Sequence, residues 1–274
     1  MFITIDNIQY HAVLKGTGPQ KMICFHGFAE NLSTWESILF EDYQMILVDL
    51  IGHGKSDKPY SIQPYRLPVM VRHIRMLVQY MGLSKYAMLG YSMGGRIALA
   101  YTLAYSQEVD LLILESASYG ECGFVNRIRR RRNDQQLARS IRGKGIEWFN
   151  RYWSGLDIFA SQMKLPKDVR DKIDERRLLN APHALANTLL GSGQGRYPCL
   201  IKKICGLAMP VLYINGEYDT KYRQIGREFK QLNPRIIQTT IPGVGHNTHI
   251  EDPQAFSEAV KNFYVSVCKT KKDL

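Results

Sequence analysis

The sequence contains no apolar run long enough to suggest a membrane span. Nowhere do 18 apolar residues follow one another, and a helix needs about that many to cross a bilayer. A secretion signal has basic residues followed by a long apolar stretch. The opening segment MFITIDNIQYH does not have this pattern. We therefore expect no membrane insertion and a cytoplasmic location.

Cysteine is scarce, and its distribution is irregular. The cysteines are odd in number, widely spaced and form no C-x-x-C pair: Cys24, Cys122, Cys199, Cys205 and Cys268. This pattern predicts neither a disulfide framework nor a zinc site, and it fits a reducing compartment.

Acidic residues are outnumbered by basic ones. Lysine and arginine total 36 against 25 aspartates and glutamates, so the 274-residue chain carries a formal net charge of +11. The excess favours an anionic partner: nucleic acid, an acidic membrane surface or an acidic small molecule. Internal repeats are absent, and this length suits one large α/β domain or a domain with an inserted cap.

Short apolar runs are present, and they predict buried strands. Four begin before residue 51 (FITI, YHAVL, MICF and MILVDL) and four follow it (YAMLG, VDLLILES, MPVLYING and RIIQTTI). Helical patterns cover residues 67–81, 93–105 and 222–232, and a closing amphipathic helix begins PQAFSEAV. This alternation predicts an α/β fold with a mostly parallel sheet and helices on both faces.

The alternation stops between residues 117 and 206. Here the sequence becomes helical, arginine-rich and aromatic. We interpret this stretch as a helical cap inserted into a core made of residues 1–116 and 207–274.

The segment GYSMGGR contains the pattern G-x-S-x-G at Gly90, Ser92 and Gly94. It follows the predicted strand YAMLG and opens a predicted helix, which is the context that exposes a nucleophilic serine on a tight turn. A glycine-rich turn with a purely structural serine is the alternative.

A serine needs a base, and His246 is the best placed histidine. It lies in GVGHNTH directly after the last predicted strand, at the sheet edge where the serine should lie. His249 is the nearest alternative. His26 and His53 lie in loops near the same sheet edge, so we expect these two histidines to shape the site. Surface or packing roles are expected for His11, His73 and His183.

The base in turn needs a carboxylate, and Asp219 is the first candidate. It lies in NGEYDTKY after the strand before the last, which gives the chain order serine, aspartate, histidine. Glu217 and Glu115 remain alternatives, because Asp219 could simply cap the following helix.

Two backbone N–H groups can complete the predicted site. CFHGFAEN places a His-Gly turn after the third strand, so the N–H groups of Phe28 and Met93 are expected to form an oxyanion hole.

Arginines surround the predicted site. Arg96 lies one helical turn after Ser92, where a buried guanidinium needs an anion from the protein or from a substrate. Seven arginines occur between residues 127 and 142 against one acid, Asp134. Most suit a solvated helix face, but Arg130 is spaced to pair with Asp134. Arg176 and Arg177 follow in ERRLLNAPHALA.

Together these segments resemble the α/β-hydrolase family. Within it, the chain resembles the 2-succinyl-6-hydroxy-2,4-cyclohexadiene-1-carboxylate (SHCHC) synthases of bacterial menaquinone biosynthesis, through GYSMGGR, ESASYG, RRLLNAPHALANTLLGSGQG, GEYDTKY and GVGHNTHIEDP. The resemblance implies a lyase that eliminates pyruvate from a tricarboxylate, without metal or cofactor.

The resemblance also implies roles for individual residues. The triad falls on Ser92, Asp219 and His246. The substrate-binding residues fall on Tyr91, Arg96, Arg130, Trp153 and Arg177. Neighbouring arginines leave the register at 130 and 177 open by one residue.

Two other functions remain open. A serine esterase or C–C bond hydrolase would share the triad but would not need Arg96. A nucleic-acid binder would fit the charge, but we find no nucleic-acid-binding module and expect a small-molecule partner instead.

Overall fold

An eight-stranded sheet runs through the computed structural model, which describes residues 1–272. The strand order is β1-β2-β4-β3-β5-β6-β7-β8. Strands β1 and β2 pair antiparallel, as do β2 and β4, whereas the other neighbouring pairs are parallel. The strands are β1 Phe2–Ile5, β2 Ile8–Lys15, β3 Gln20–Phe25, β4 Tyr43–Val48, β5 Tyr86–Tyr91, β6 Val109–Glu115, β7 Val211–Gly216 and β8 Ile237–Ile241.

All eight predicted strands are present, and the mostly parallel sheet is confirmed. The central strands are buried on both faces, because helices cover each side. In β3, Ile23 and Phe25 join the core on one face, whereas Met22 and Cys24 join the core on the other. Continuous apolar runs such as YAMLG therefore mark strands, as expected for a parallel sheet.

Eight α-helices accompany the sheet in the described residues. They are α1 Leu67–Tyr80, α2 Met93–Ala104, α3 Phe124–Ser154, α4 Lys167–Leu178, α5 Pro182–Ser192, α6 Thr220–Leu232, α7 Thr248–Glu251 and α8 Pro253–Lys272. The backbone of α3 is interrupted at Gly145, where φ is 81°. None of these helices has the length and apolarity needed to cross a membrane.

The chain between β6 and β7 forms α3, α4 and α5 and contributes no strand to the sheet. Helices α3 and α5 bury a shared apolar cluster that includes Ile141, Phe149 and Leu185. Phe28, from the loop after β3, packs against the same cluster. This contact holds the helical segment over the carboxyl ends of the parallel strands, where ligands bind in open α/β sheets.

The cysteine spacing predicts no disulfide framework, yet one pair of cysteines is disulfide-bonded. Cys122 and Cys199 form a disulfide with their Cα atoms 5.0 Å apart, although 77 residues separate them in sequence. Cys122 lies just before α3 and Cys199 lies on the returning chain, where Leu200 N–H donates to Tyr119 O at 2.8 Å. Sequence spacing could not reveal this pair, because only the fold brings the two ends of the helical segment together.

We predict that denatured protein purified without reductant will react with iodoacetamide at three cysteines, and at five after reduction. Intact mass spectrometry checks the count, and five labels without reduction would contradict the disulfide.

Replacing Cys122 and Cys199 by serine should lower the free energy of unfolding by about 2–4 kcal/mol, because the unfolded chain is released from a long closed loop. Urea unfolding measures the loss, with a Cys205→Ser, Cys268→Ser variant as control.

Candidate active site

Ser92 occupies a sharp turn between β5 and α2. Its backbone is left-handed, with φ 49° and ψ −104°, and its N–H donates to Glu115 O at 2.8 Å. A Cβ at Gly90 would lie 2.5 Å from Gly94 O, and one at Gly94 would lie 2.4 Å from Phe25 O. Only glycine fits at both positions, so the packing holds the unusual serine backbone in place.

The turn brings Ser92 to His246 and Asp219. His246 Nε2 lies 3.1 Å from Ser92 Oγ, and its Nδ1 lies 2.6 Å from Asp219 Oδ2. A carboxylate can only accept, so Nδ1 carries the proton and Nε2 is free to take the proton of the serine hydroxyl. Asp219 also accepts from Tyr222 N–H, so it caps α6 and binds the histidine at once.

The alternative base and acid bind each other. His249 Nδ1 lies 2.6 Å from Glu115 Oε2, and its Nε2 lies 2.7 Å from Thr34 Oγ1. Both side chains are fully buried. Glu217 is exposed and accepts from Gly243 N–H at 2.8 Å. The geometry therefore joins Asp219 and His246, rather than these alternatives, to Ser92.

Ser92 opens into a cavity of about 150 Å³. Six of the residues predicted for the site line this cavity beside Ser92: Phe28, Tyr91, Arg96, Arg130, Trp153 and His246. Sequence reasoning missed Glu30, Ile158, Phe159, Gln194, Lys221 and Tyr222, which line it as well. Four of these could have been found, because Glu30 lies in CFHGFAEN, Gln194 lies in GSGQG, and both Lys221 and Tyr222 lie in GEYDTKY.

Arg96 supplies a cation without a protein counter-ion. One guanidinium nitrogen, Nη1, is buried and has no partner among the described residues. The nearest aromatic contact is the ring of Tyr197, whose centroid lies 5.4 Å from Cζ. Burial lowers the pKa of Arg96, because a charged group loses hydration there. Arg96 thus forms no salt bridge in the described chain, so the protein does not supply the anion that a buried guanidinium needs there.

Arg130 is anchored at the edge of the same cavity. Its Nε donates to Asp134 Oδ1 at 2.8 Å, which confirms the predicted pair, and its Nη1 donates to Gln194 Oε1 at 2.6 Å. Its neighbours have other contacts: Arg129 donates to Asn126 and Arg131 donates to Gly195 O. Of the three arginines, Arg130 alone lines the serine cavity in the described residues.

Arg177 does not line the serine cavity. It lines an adjoining cavity of about 280 Å³, where it donates to Ser154 Oγ at 2.7 Å. The ring of Phe159 separates the two spaces: its centroid lies 5.1 Å from Arg177 Cζ and 5.9 Å from the His246 ring. Sequence could place Arg177 in the helical segment but could not show the aromatic ring in front of it.

The two predicted oxyanion-hole residues lie beside Ser92. Met93 is the first residue of α2, and an N–H there has no acceptor within its own helix. Phe28 follows Gly27, where a Cβ would come within 2.5 Å of the Tyr91 ring. Glycine at position 27 thus lets the loop after β3 approach the serine turn closely.

Comparison with known proteins places this architecture in a family. The family model described as "alpha/beta hydrolase fold" matches residues 21–253. A provisionally named SHCHC synthase from Bacillus subtilis is 32% identical, over 96% of this chain and 97% of its own. The SHCHC synthase of Yersinia enterocolitica is 30% identical, over 90% of this chain and 87% of its own. The chain belongs to the α/β-hydrolase family, in the group of the SHCHC synthases.

A solved structure agrees with this membership. MenH from S. aureus superimposes with a TM-score of 0.87 and 31% identity, over 94% of this chain and 98% of that chain. In this α/β hydrolase, the G-x-S-x-G turn is thus more than a chance pattern, because the fold around it is the one in which such turns carry a nucleophile.

The histidines predicted to shape the site hold its loops while uncharged. His26 Nε2 accepts from Leu50 N–H at 3.0 Å, and its Nδ1 donates to Gly27 O at 2.7 Å. The His53 ring lies 5.1 Å from that of His26. Burial, reinforced by His26, lowers the pKa of His53 from 6.5 to about 3.

Labelling of Ser92 by a fluorophosphonate should test the triad in this α/β hydrolase. Asp219→Asn should slow labelling by roughly 10³-fold or more, because an amide favours the wrong tautomer of His246. Glu115→Gln should label at nearly the wild-type rate but lose about 3 kcal/mol of stability, since it breaks a buried pair. The reverse pattern would assign the acid role to Glu115.

A pH series should reveal the buried His53. Below pH 6.5 the unfolded chain protonates this ring, whereas the folded protein does so only near pH 3. The unfolded state therefore binds more protons in this window, and the free energy of unfolding should fall as pH falls, by up to about 1.4 kcal/mol per pH unit. Urea unfolding of His53→Gln should give a shallower slope than wild type, and an equal slope would contradict the assignment.

Proposed function

We propose that this chain is a carbon–oxygen lyase of menaquinone biosynthesis. It eliminates pyruvate from 2-succinyl-5-enolpyruvyl-6-hydroxy-3-cyclohexene-1-carboxylate and forms SHCHC. The observation that carries the proposal is Arg96, whose Nη1 is buried without a partner in the described chain, in the wall of a cavity that also contains Ser92. A buried cation without a protein anion is stabilised when the substrate brings one, and this substrate carries three carboxylates.

The triad supplies the base. His246 Nε2 takes the Ser92 proton, and Asp219 stabilises the imidazolium that forms. Ser92 Oγ then removes the proton from ring carbon 2, which is acidic because it lies beside the succinyl carbonyl. The C–H electron pair forms the 2,3 double bond, the 3,4 double bond moves to 4,5, and the C–O bond at carbon 5 breaks. The departing enolate takes up a proton at its methylene carbon and becomes pyruvate.

The oxyanion hole and the arginines accompany this electron flow. Negative charge develops on the succinyl carbonyl oxygen, and the N–H groups of Phe28 and Met93 are assigned to bind it. Arg96 and Arg130 hold carboxylates and orient the ring carbon toward Ser92.

The remaining predicted residues complete the binding site. Tyr91 and Trp153 form aromatic walls of the cavity. Arg177 binds a further carboxylate once Phe159 moves aside, since that ring lies between Arg177 and His246.

We assign the helical segment, residues 117–206, as a cap on a core of residues 1–116 and 207–274. The cap provides Arg130 and Trp153 to the cavity and excludes water while the elimination proceeds. We place the reaction in an aqueous compartment, because charged tricarboxylates do not enter lipid, and we assign that compartment as the cytoplasm, although a disulfide such as Cys122–Cys199 is rare there.

Release of pyruvate from the enolpyruvyl precursor tests the proposal directly, with lactate dehydrogenase and NADH as the readout. Wild type should release pyruvate and Ser92→Ala should release none while remaining folded.

Arg96→Ala should lose about 30- to 5000-fold in kcat/KM, which corresponds to about 2–5 kcal/mol for one partner of a buried charge pair. Arg129→Ala should behave like wild type, because Arg129 is exposed.

An acyl nitrophenyl ester provides the comparison with a hydrolase. The lyase should turn over the precursor with a far higher kcat/KM than the ester. Rapid ester hydrolysis without pyruvate release would favour the serine esterase, which shares the triad but does not need Arg96.

A further inference from the structure

Lys221 is a second cation at the serine cavity without a protein counter-ion. It lies near the start of α6, next to Tyr222, whose ring packs 4.6 Å from that of His246. Its side chain lines the same cavity as Ser92, Arg96 and Arg130. Within residues 1–268, its ammonium forms no ion pair, and its contact is with the face of the Tyr222 ring, 5.4 Å from the centroid.

The carboxylates around Lys221 form no ion pair with it in the described structure, although Glu30 lines the same cavity and its buried Oε2 has no partner. Asp219 is bound to His246 and to Tyr222 N–H, and Asp134 is paired with Arg130. Glu121 raises the pKa of Lys221 by its charge but forms no ion pair with it in the described structure. Partial desolvation of the ammonium, together with Arg130 and Arg96, lowers that pKa, so neighbouring cations act on Lys221.

Lys221 and the arginines that line the serine cavity differ in how far they are exposed to solvent. Arg96 belongs to α2 under Ser92 and buries a guanidinium nitrogen, whereas Lys221 is exposed at the cavity mouth. The ring carbon that loses its proton must approach Ser92 in the depth of the cavity. The group that departs must leave toward solvent, and Lys221 is the one exposed residue of the described cavity lining.

We propose that Lys221 binds the carboxylate of the enolpyruvyl group and so holds the leaving group of the reaction. The inference rests on the proposed function. As the C–O bond at ring carbon 5 breaks, its electron pair passes to the enolpyruvyl oxygen. The Lys221 ammonium stabilises this charge beside the carboxylate, and it remains protonated throughout. Lys221 is thus a substrate-binding residue that also determines which leaving group is accepted.

Pyruvate and its neutral amide, pyruvamide, form a matched pair of probes. Isothermal titration calorimetry on the full-length protein should show that wild type binds pyruvate more tightly than pyruvamide. Lys221→Gln should weaken pyruvate binding by about tenfold, the size of one charge-assisted hydrogen bond, and leave pyruvamide unchanged. Lys221→Arg should restore most of the preference. Lys230→Gln is the control, because Lys230 is an exposed lysine of the same helix.

Turnover of the precursor gives the second readout. Lys221→Gln should lower kcat/KM by about tenfold and weaken inhibition by added pyruvate in parallel. Equal pyruvate binding by wild type and Lys221→Gln, or no pyruvate binding by wild type, would overturn the inference. Binding that depends on Lys221 in a protein that releases no pyruvate from the precursor would overturn the proposed function and support Lys221 as a carboxylate ligand.

Discussion

The left-handed backbone of Ser92 is the constraint on which the site depends. Such a conformation is costly for a residue with a side chain, and it persists only where the surroundings leave no alternative. Here Gly90 and Gly94 let β5, β3 and α2 approach so closely that an added Cβ would overlap backbone atoms. The same turn sets the first N–H of α2, that of Met93, beside Ser92, so one backbone conformation positions both the hydroxyl and the N–H proposed to act with it.

Around this turn, charge is distributed unevenly. The buried carboxylates Asp219 and Glu115 each accept a hydrogen bond from a histidine, and Glu30 is a third buried carboxylate, in the wall of the cavity itself. Arg96 and Lys221 have no such partners in the described chain. Arg96, Arg130 and Lys221 outnumber Glu30, the one carboxylate among the described lining residues, so the pocket is complementary to an anion before any ligand arrives.

Sequence reasoning anticipated the contacts of the site where they follow from local pattern. Ser92, Asp219 and His246 each come directly after a run of buried strand residues, and the ends of parallel strands meet at one edge. Sequence reasoning failed where tertiary packing decides which residues meet. Nothing near Cys122 indicates that Cys199 returns to it, and nothing near Arg177 indicates the ring that covers it. The register at Arg130 became clear only from the helix rotation, which turns its neighbours toward Asn126 and Gly195.

The single ring between the two cavities has a consequence for the range of molecules that can be accommodated. With Phe159 in place, the space next to Ser92 is about 150 Å³, and a larger compartment of about 280 Å³ lies unused behind it. Phe159 is the one described residue that lines both cavities. A ligand too large for the space in front of this ring would therefore have to displace it, and the volume open to such a ligand would increase by the whole second cavity at once.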